Sequence, residues 1–98
     1  MADQYPTTSI STVAAGKWKR PRASLTGVVS AIHKEADGDV HIRIEDGTGN
    51  FVICEQIPEL PLKTLPKVGD KIVAKGIVRY DGEHGWWELH PLISWKTA

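Results

Sequence analysis

The sequence predicts an all-β fold, five short strands closing into a small Greek-key barrel. Three observations carry this. β-rich runs recur from Ser24 to Trp95 with turn residues between them. Val40, Ile42 and Ile44 alternate with His41, Arg43 and Glu45, the period of a strand with one buried and one wet face. A single long, Pro-rich connection separates the third run from the fourth.

Taken in order, residues 1–23 read as a flexible N-terminal arm that is basic at its end. Met1 to Gly16 are rich in Ser, Thr and Ala, with no period long enough to bury a face, so no regular structure is expected there. Residues 24–98 form the barrel. The first strand, "SLTGVVSAIH", carries Gly27 in mid-run, where glycine marks a bulge or bend. "KEADG" turns the chain into "DVHIRIE", and "DGTGN" supplies two glycines for the hairpin into "FVICEQ". In "IPELPLKTLPKVGD", Pro58, Pro61 and Pro66 leave room for at most one helical turn around Leu60 to Leu65. Leu60, Leu62 and Leu65 are placed over an open end of the barrel. "KIVAKGIVRY", with Gly76 in mid-run, leads through "DGEHG" into "WWELHPLISW", where the missing N–H of Pro91 argues for an edge or a bulge. The expected core is Val40, Ile42, Ile44, Val52 or Ile53, Ile72, Val78 and Leu89. Five strands with the long connection between the third and fourth is the layout of the OB-fold.

At 98 residues the chain has room for one core. Its one cysteine, Cys54, cannot close an internal disulfide, which suits a reducing compartment. There is no basic start followed by an apolar run, and no apolar stretch of the ~18 residues that a membrane helix needs. A cytoplasmic, unprocessed protein without membrane contact is the expectation. The net charge is zero, unevenly spread. Lys17, Lys19, Arg20 and Arg22 face only Asp3 in the arm, whereas acidic residues outnumber basic ones in the remainder. Affinity for phosphate must therefore come from a patch.

The fragment "LTGVVSAI…DVHIRIEDGTGNFVI…KVGDKIVAKGIV" resembles OB-fold nucleic-acid-binding modules of the tRNA-anticodon and replication-protein type. These share a G-x-V first strand, a D-x-T-G hairpin and a G-D before the fourth strand. The resemblance covers about Ser24 to Val78 and implies the fold, with nucleic acid as the family's usual ligand. "DGDVH" with "EHGWWELHP" is similar to uncharacterised small bacterial proteins carrying D-G-D-x-H and H-G-W-x-E-[IL]-H-P segments.

Three candidate sites follow. Asp39 and His41 share a face of one strand, as do Glu88 and His90 of another, so a polar network, a metal site or a catalytic pair is open there. Outward-facing, with a strand between them, His41 and His90 would stand ~10 Å apart, too far for a shared ion, which favours a structural network. Second, Trp86 and Trp87 point to opposite faces; Trp87 shares Leu89's side and is assigned to the core, leaving Trp86 partly exposed. With Phe51, Tyr80 and Trp18 it could stack bases. Third, "KWKRPR" sets Lys17, Lys19, Arg20 and Arg22 around Trp18, the pairing that phosphate contact plus stacking requires. Its bland alternative is a solvated lead-in.

The leading expectation is a non-enzymatic protein that binds single-stranded nucleic acid, DNA slightly ahead of RNA, without a cofactor. Its contacts are assigned to Lys17, Trp18, Lys19, Arg20, Arg22, Lys34, His41, Arg43, Phe51 and Trp86. Against it stand Glu35, Asp37, Asp81 and Glu83 in the flanking loops. A protein-interaction or assembly module is the alternative. A small metal-binding or hydrolytic protein using Asp39, His41, Glu88 and His90 has least support, since no catalytic motif is found by spacing.

Overall fold

The computed structural model describes residues 4–98. Five strands, β1 (Arg22–Lys34), β2 (Val40–Glu45), β3 (Phe51–Gln56), β4 (Lys71–Asp81) and β5 (Trp86–Thr97), close a barrel in the order β1-β2-β3-β5-β4. That is the OB-fold arrangement expected from the strand runs. All neighbouring pairs are antiparallel except β3 and β5, whose parallel pairing of Ile53 with Glu88 and Cys54 with Leu89 closes the sheet.

The alternating pattern fills the interior as expected. Val40, Ile42, Ile44, Val52, Ile72 and Leu89 are buried in one cluster with Leu25, Val29, Cys54, Ala74 and Leu92. Val78 is half-buried against that cluster. Ile53 points to the other face and is buried there nonetheless, because the outer surface of β3 is itself covered.

Two expectations are corrected. Residues up to Gly16 do contain regular structure: a short helix, α1 (Ile10–Ala14), is capped by Ser9, whose hydroxyl accepts from the Thr12 amide. Its Ile10 and Val13 are buried in the barrel core. A helix this short is unstable alone, so it forms because the barrel gives those two side chains a place. Before it, the Thr8 amide donates to Ser24 O and the Ser24 amide to Pro6 O, laying the chain beside β1. The connection between β3 and β4 holds turns and no helix, within the single helical turn allowed for it, but its expected apolar cover is incomplete. Leu62 and Leu65 pack on the core, but Leu60 is exposed.

The bulge in β1 falls between Val29 and Ala31, at Ser30, and not at Gly27. Gly27 is required by close approach: a Cβ there would stand 2.6 Å from Ile10 Cδ1 and 2.9 Å from Glu45 O. Register shifts flank Gly76 where β4 meets Pro91, as expected of both residues. The His90–Pro91 peptide is cis.

Candidate functional site

Period two gives β2, β3 and β5 a continuous outer face of nine side chains, three rows deep. In the first row His41 lies opposite Glu55, with His90 of β5 on the other side of Glu55. In the second, Arg43 lies opposite Ile53 and Ile53 opposite Glu88. In the third, Glu45 lies opposite Phe51, and the Phe51 ring is 6.3 Å from that of Trp86.

The third row and its surroundings are aromatic. Arg43 holds its guanidinium 4.3 Å above the Phe51 ring. Ser30 steadies that guanidinium: the bulge turns its hydroxyl to accept from Arg43 Nη1 at 3.0 Å. Glu45 forms an ion pair with the same nitrogen. Phe51, Trp86, Trp87, Tyr80 and Asn50 line a cleft of about 380 Å³ that Ala14 of α1 borders. Trp86 is half-buried, as expected, with one ring face covered by His84, stacked at 4.4 Å. Trp87 is also half-buried and not sealed in the core as expected; its ring rests against Gly16 and lies 5.2 Å from that of Tyr80.

The first row is a carboxylate and imidazole cluster. His41 Nε2 lies 3.2 Å from Glu55 Oε1, and His90 Nε2 lies 3.4 Å from Glu55 Oε2. Glu35 approaches His41 Nδ1 at 3.5 Å, and Arg79 approaches His90 Nδ1 at 3.4 Å. Glu55 is only 6% exposed, and burial first, then Asp39 and the charge of Glu88, pushes its carboxyl up to about 8. Glu88 is fully buried: its Oε2 accepts the indole N–H of Trp86 at 2.7 Å, while its Oε1 meets no hydrogen-bond partner. In the β4–β5 hairpin, Asp81 accepts from the amides of Glu83 and His84 and lies 2.7 Å from His84 Nδ1. The His84 contact holds Asp81 down at about 2, and Asp81 in turn raises His84. A second cleft of about 380 Å³, lined by Asp39, His41, Glu55, Asp81 and His84 among others, opens this cluster to solvent.

The structure thus brings Asp39, His41, Glu88 and His90 into one cluster without bringing the two histidines onto one ligand position, in keeping with the argument from separation. The two histidines face outward on strands either side of β3, and Glu55 between them reaches both, one oxygen to each. Sequence reasoning missed Glu55, as it missed Asp81, His84 and Glu35. The signal was present. A hairpin at "DGTGN" that pairs Glu45 with Phe51 pairs His41 with Glu55 by counting.

The predicted basic residues divide. Lys19 Nζ donates to Gly16 O at 3.0 Å, just after α1, and Lys17 is exposed. Arg20 lies over Trp18 at 5.8 Å, and Arg22 opens β1 opposite Ile77 of β4, across the barrel from β3. Trp18 packs on the core and donates its indole N–H to Arg22 O. Lys34 ends β1, exposed, opposite Val40.

No helix among the described residues is long and apolar enough to cross a membrane. No protein-family model matches the chain, and no curated protein sequence matches it. Among solved structures, a chain of the S. pombe Stn1-ten1 complex is similar in fold, with a TM-score of 0.66 over 100% of this chain and 80% of that one at 15% identity.

Proposed function

We propose that this protein is a non-enzymatic OB-fold module that binds single-stranded nucleic acid, stacking bases in the cleft between Phe51, Tyr80, Trp86 and Trp87. The observation that supports this best is the cleft itself: four aromatic side chains converge on one opening, with the Arg43 guanidinium over Phe51. Unstacked bases present flat faces that such rings hold at roughly 1–3 kcal/mol each, and cations beside them meet the phosphates. DNA is placed slightly ahead of RNA. Arg20, Arg22 and Trp18 contribute less in this reading, since they stand across the barrel or are occupied by packing.

The test is affinity for a fluorescein-labelled oligothymidine measured by anisotropy. Phe51→Ala is expected to weaken binding by about five- to a hundredfold, the equivalent of one lost stack. The Lys17→Ala/Lys19→Ala pair should weaken it and flatten its salt dependence. Unchanged affinity in both variants would remove the cleft from the account.

A further inference from the structure

The opposite end of the same face has no use in base stacking, and its chemistry calls for positive charge. Asp39, Glu55, Asp81 and Glu88 converge there with His41, His84 and His90. The guanidinium of Arg79, whose backbone pairs with Glu88, goes to the His90 imidazole. Two acidic side chains sit side by side in a buried place, and Glu88 Oε1 stands without any hydrogen-bond partner although the residue is 0% exposed. Burying an unpaired carboxylate oxygen is costly, so native proteins supply such an atom with a donor or a cation.

We propose that Glu55, Glu88 and His90 form a binding site for one divalent transition-metal ion, zinc being the best match. One ligand atom from each lies within 4.8 Å of the others. Tetrahedral zinc, with bonds of ~2.0–2.2 Å to nitrogen and oxygen, needs its ligands roughly 3.5 Å apart, so a small inward closure completes the geometry. One imidazole with two carboxylates suits zinc, manganese or iron, whereas calcium and magnesium prefer oxygen alone. The supporting contacts are those expected around a metal site. The Trp86 indole fixes one oxygen of Glu88, and His41 takes the Glu55 oxygen that faces away from His90. The cleft lined by Asp39, His41, Asp81 and His84 reaches Glu55 and gives an ion its way in. This site stands independently of the nucleic-acid reading.

The experiment uses the full chain, stripped with EDTA and titrated calorimetrically with zinc chloride, then with magnesium and calcium chloride. One equivalent of zinc at micromolar affinity or tighter is expected, with magnesium and calcium at least about a hundredfold weaker. Glu88→Gln keeps the shape and the bond to Trp86, and should weaken zinc by about tenfold to a hundredfold, as should His90→Ala. His41→Ala should weaken it less. Should Glu88→Gln fail to fold, half-exposed His90 carries the test, read alongside the shift of its imidazole NMR signals in zinc. No zinc binding at about 100 μM, a hundredfold above the expected micromolar affinity, or zinc binding that survives both substitutions, overturns the proposal. Greater dependence on His41 than on His90 overturns the ligand assignment.

Discussion

Trp86 donates its indole N–H to Glu88 two residues further along β5, at 2.7 Å, and so ties the aromatic row of the outer face to its acidic one. The ring is therefore more than a stacking surface. It satisfies the one oxygen of a fully buried carboxylate that has a partner.

Trp86→Phe keeps an aromatic ring in the cleft and deletes that donor. Glu88 would then be buried with both oxygens unmatched, so the substitution should cost about 1–3 kcal/mol in urea unfolding. Trp86→Phe/Glu88→Gln should cost less than the single change, because the buried group left behind no longer carries a charge. Equal costs would mean that the indole and the carboxylate act separately.

Stability should fall as pH rises across neutrality in protein kept metal-free with EDTA. Glu55 titrates near its ordinary 4.5 when unfolded and at about 8 when folded, so between those values the folded state holds the extra proton. Its contribution is complete below about pH 4.5 and is lost as pH climbs through 8. Asp39, Glu88, His41 and His90 surround the group, and Glu55→Gln should flatten that decline. A slope unchanged by Glu55→Gln would show that Glu55 is not its source.

Gly27→Ala tests how α1 is seated. The new methyl would meet Ile10 Cδ1 and Glu45 O, the latter backbone that cannot step aside. A loss of about 1–3 kcal/mol is expected, the usual cost of overpacking. A neutral result would mean that neither α1 nor the Glu45 backbone comes so close to Gly27.

Removing residues 1–22 is a poor test of nucleic-acid contact for the same reason. It takes Ile10 and Val13 from the core together with the cations, so the truncated chain should melt at lower temperature than Lys17→Ala/Lys19→Ala, which should melt like the wild type. Equal melting temperatures would count against the packing of α1.

How far the sequence reveals this molecule depends on how local each signal is. The strands were legible because alternation is a two-residue property and glycine turns interrupt it; β3 begins and ends where its residues predict. α1 was not legible, since two apolar residues three apart make no period and the helix exists through contacts with the distant barrel. Glu88 and His90 were visible as a pair on one strand, and Asp39 and His41 as a pair two residues apart, although Asp39 lies just before β2. What joins them is Glu55 on the strand between, which only cross-strand register reveals. The exposure of "HGWWELHP" was half legible: parity separates Trp86 from Trp87, but the burial of Glu88 depends on the Trp86 ring beside it and on what covers β3.

The most direct test of the central claim is a titration of the wild-type protein with single-stranded and duplex oligonucleotides of one sequence, at two salt concentrations, following tryptophan emission. Binding in the cleft predicts quenching, tighter association with the single strand, and affinity that falls as salt rises. No change in emission with the single strand, or equal affinity for the duplex, would contradict it.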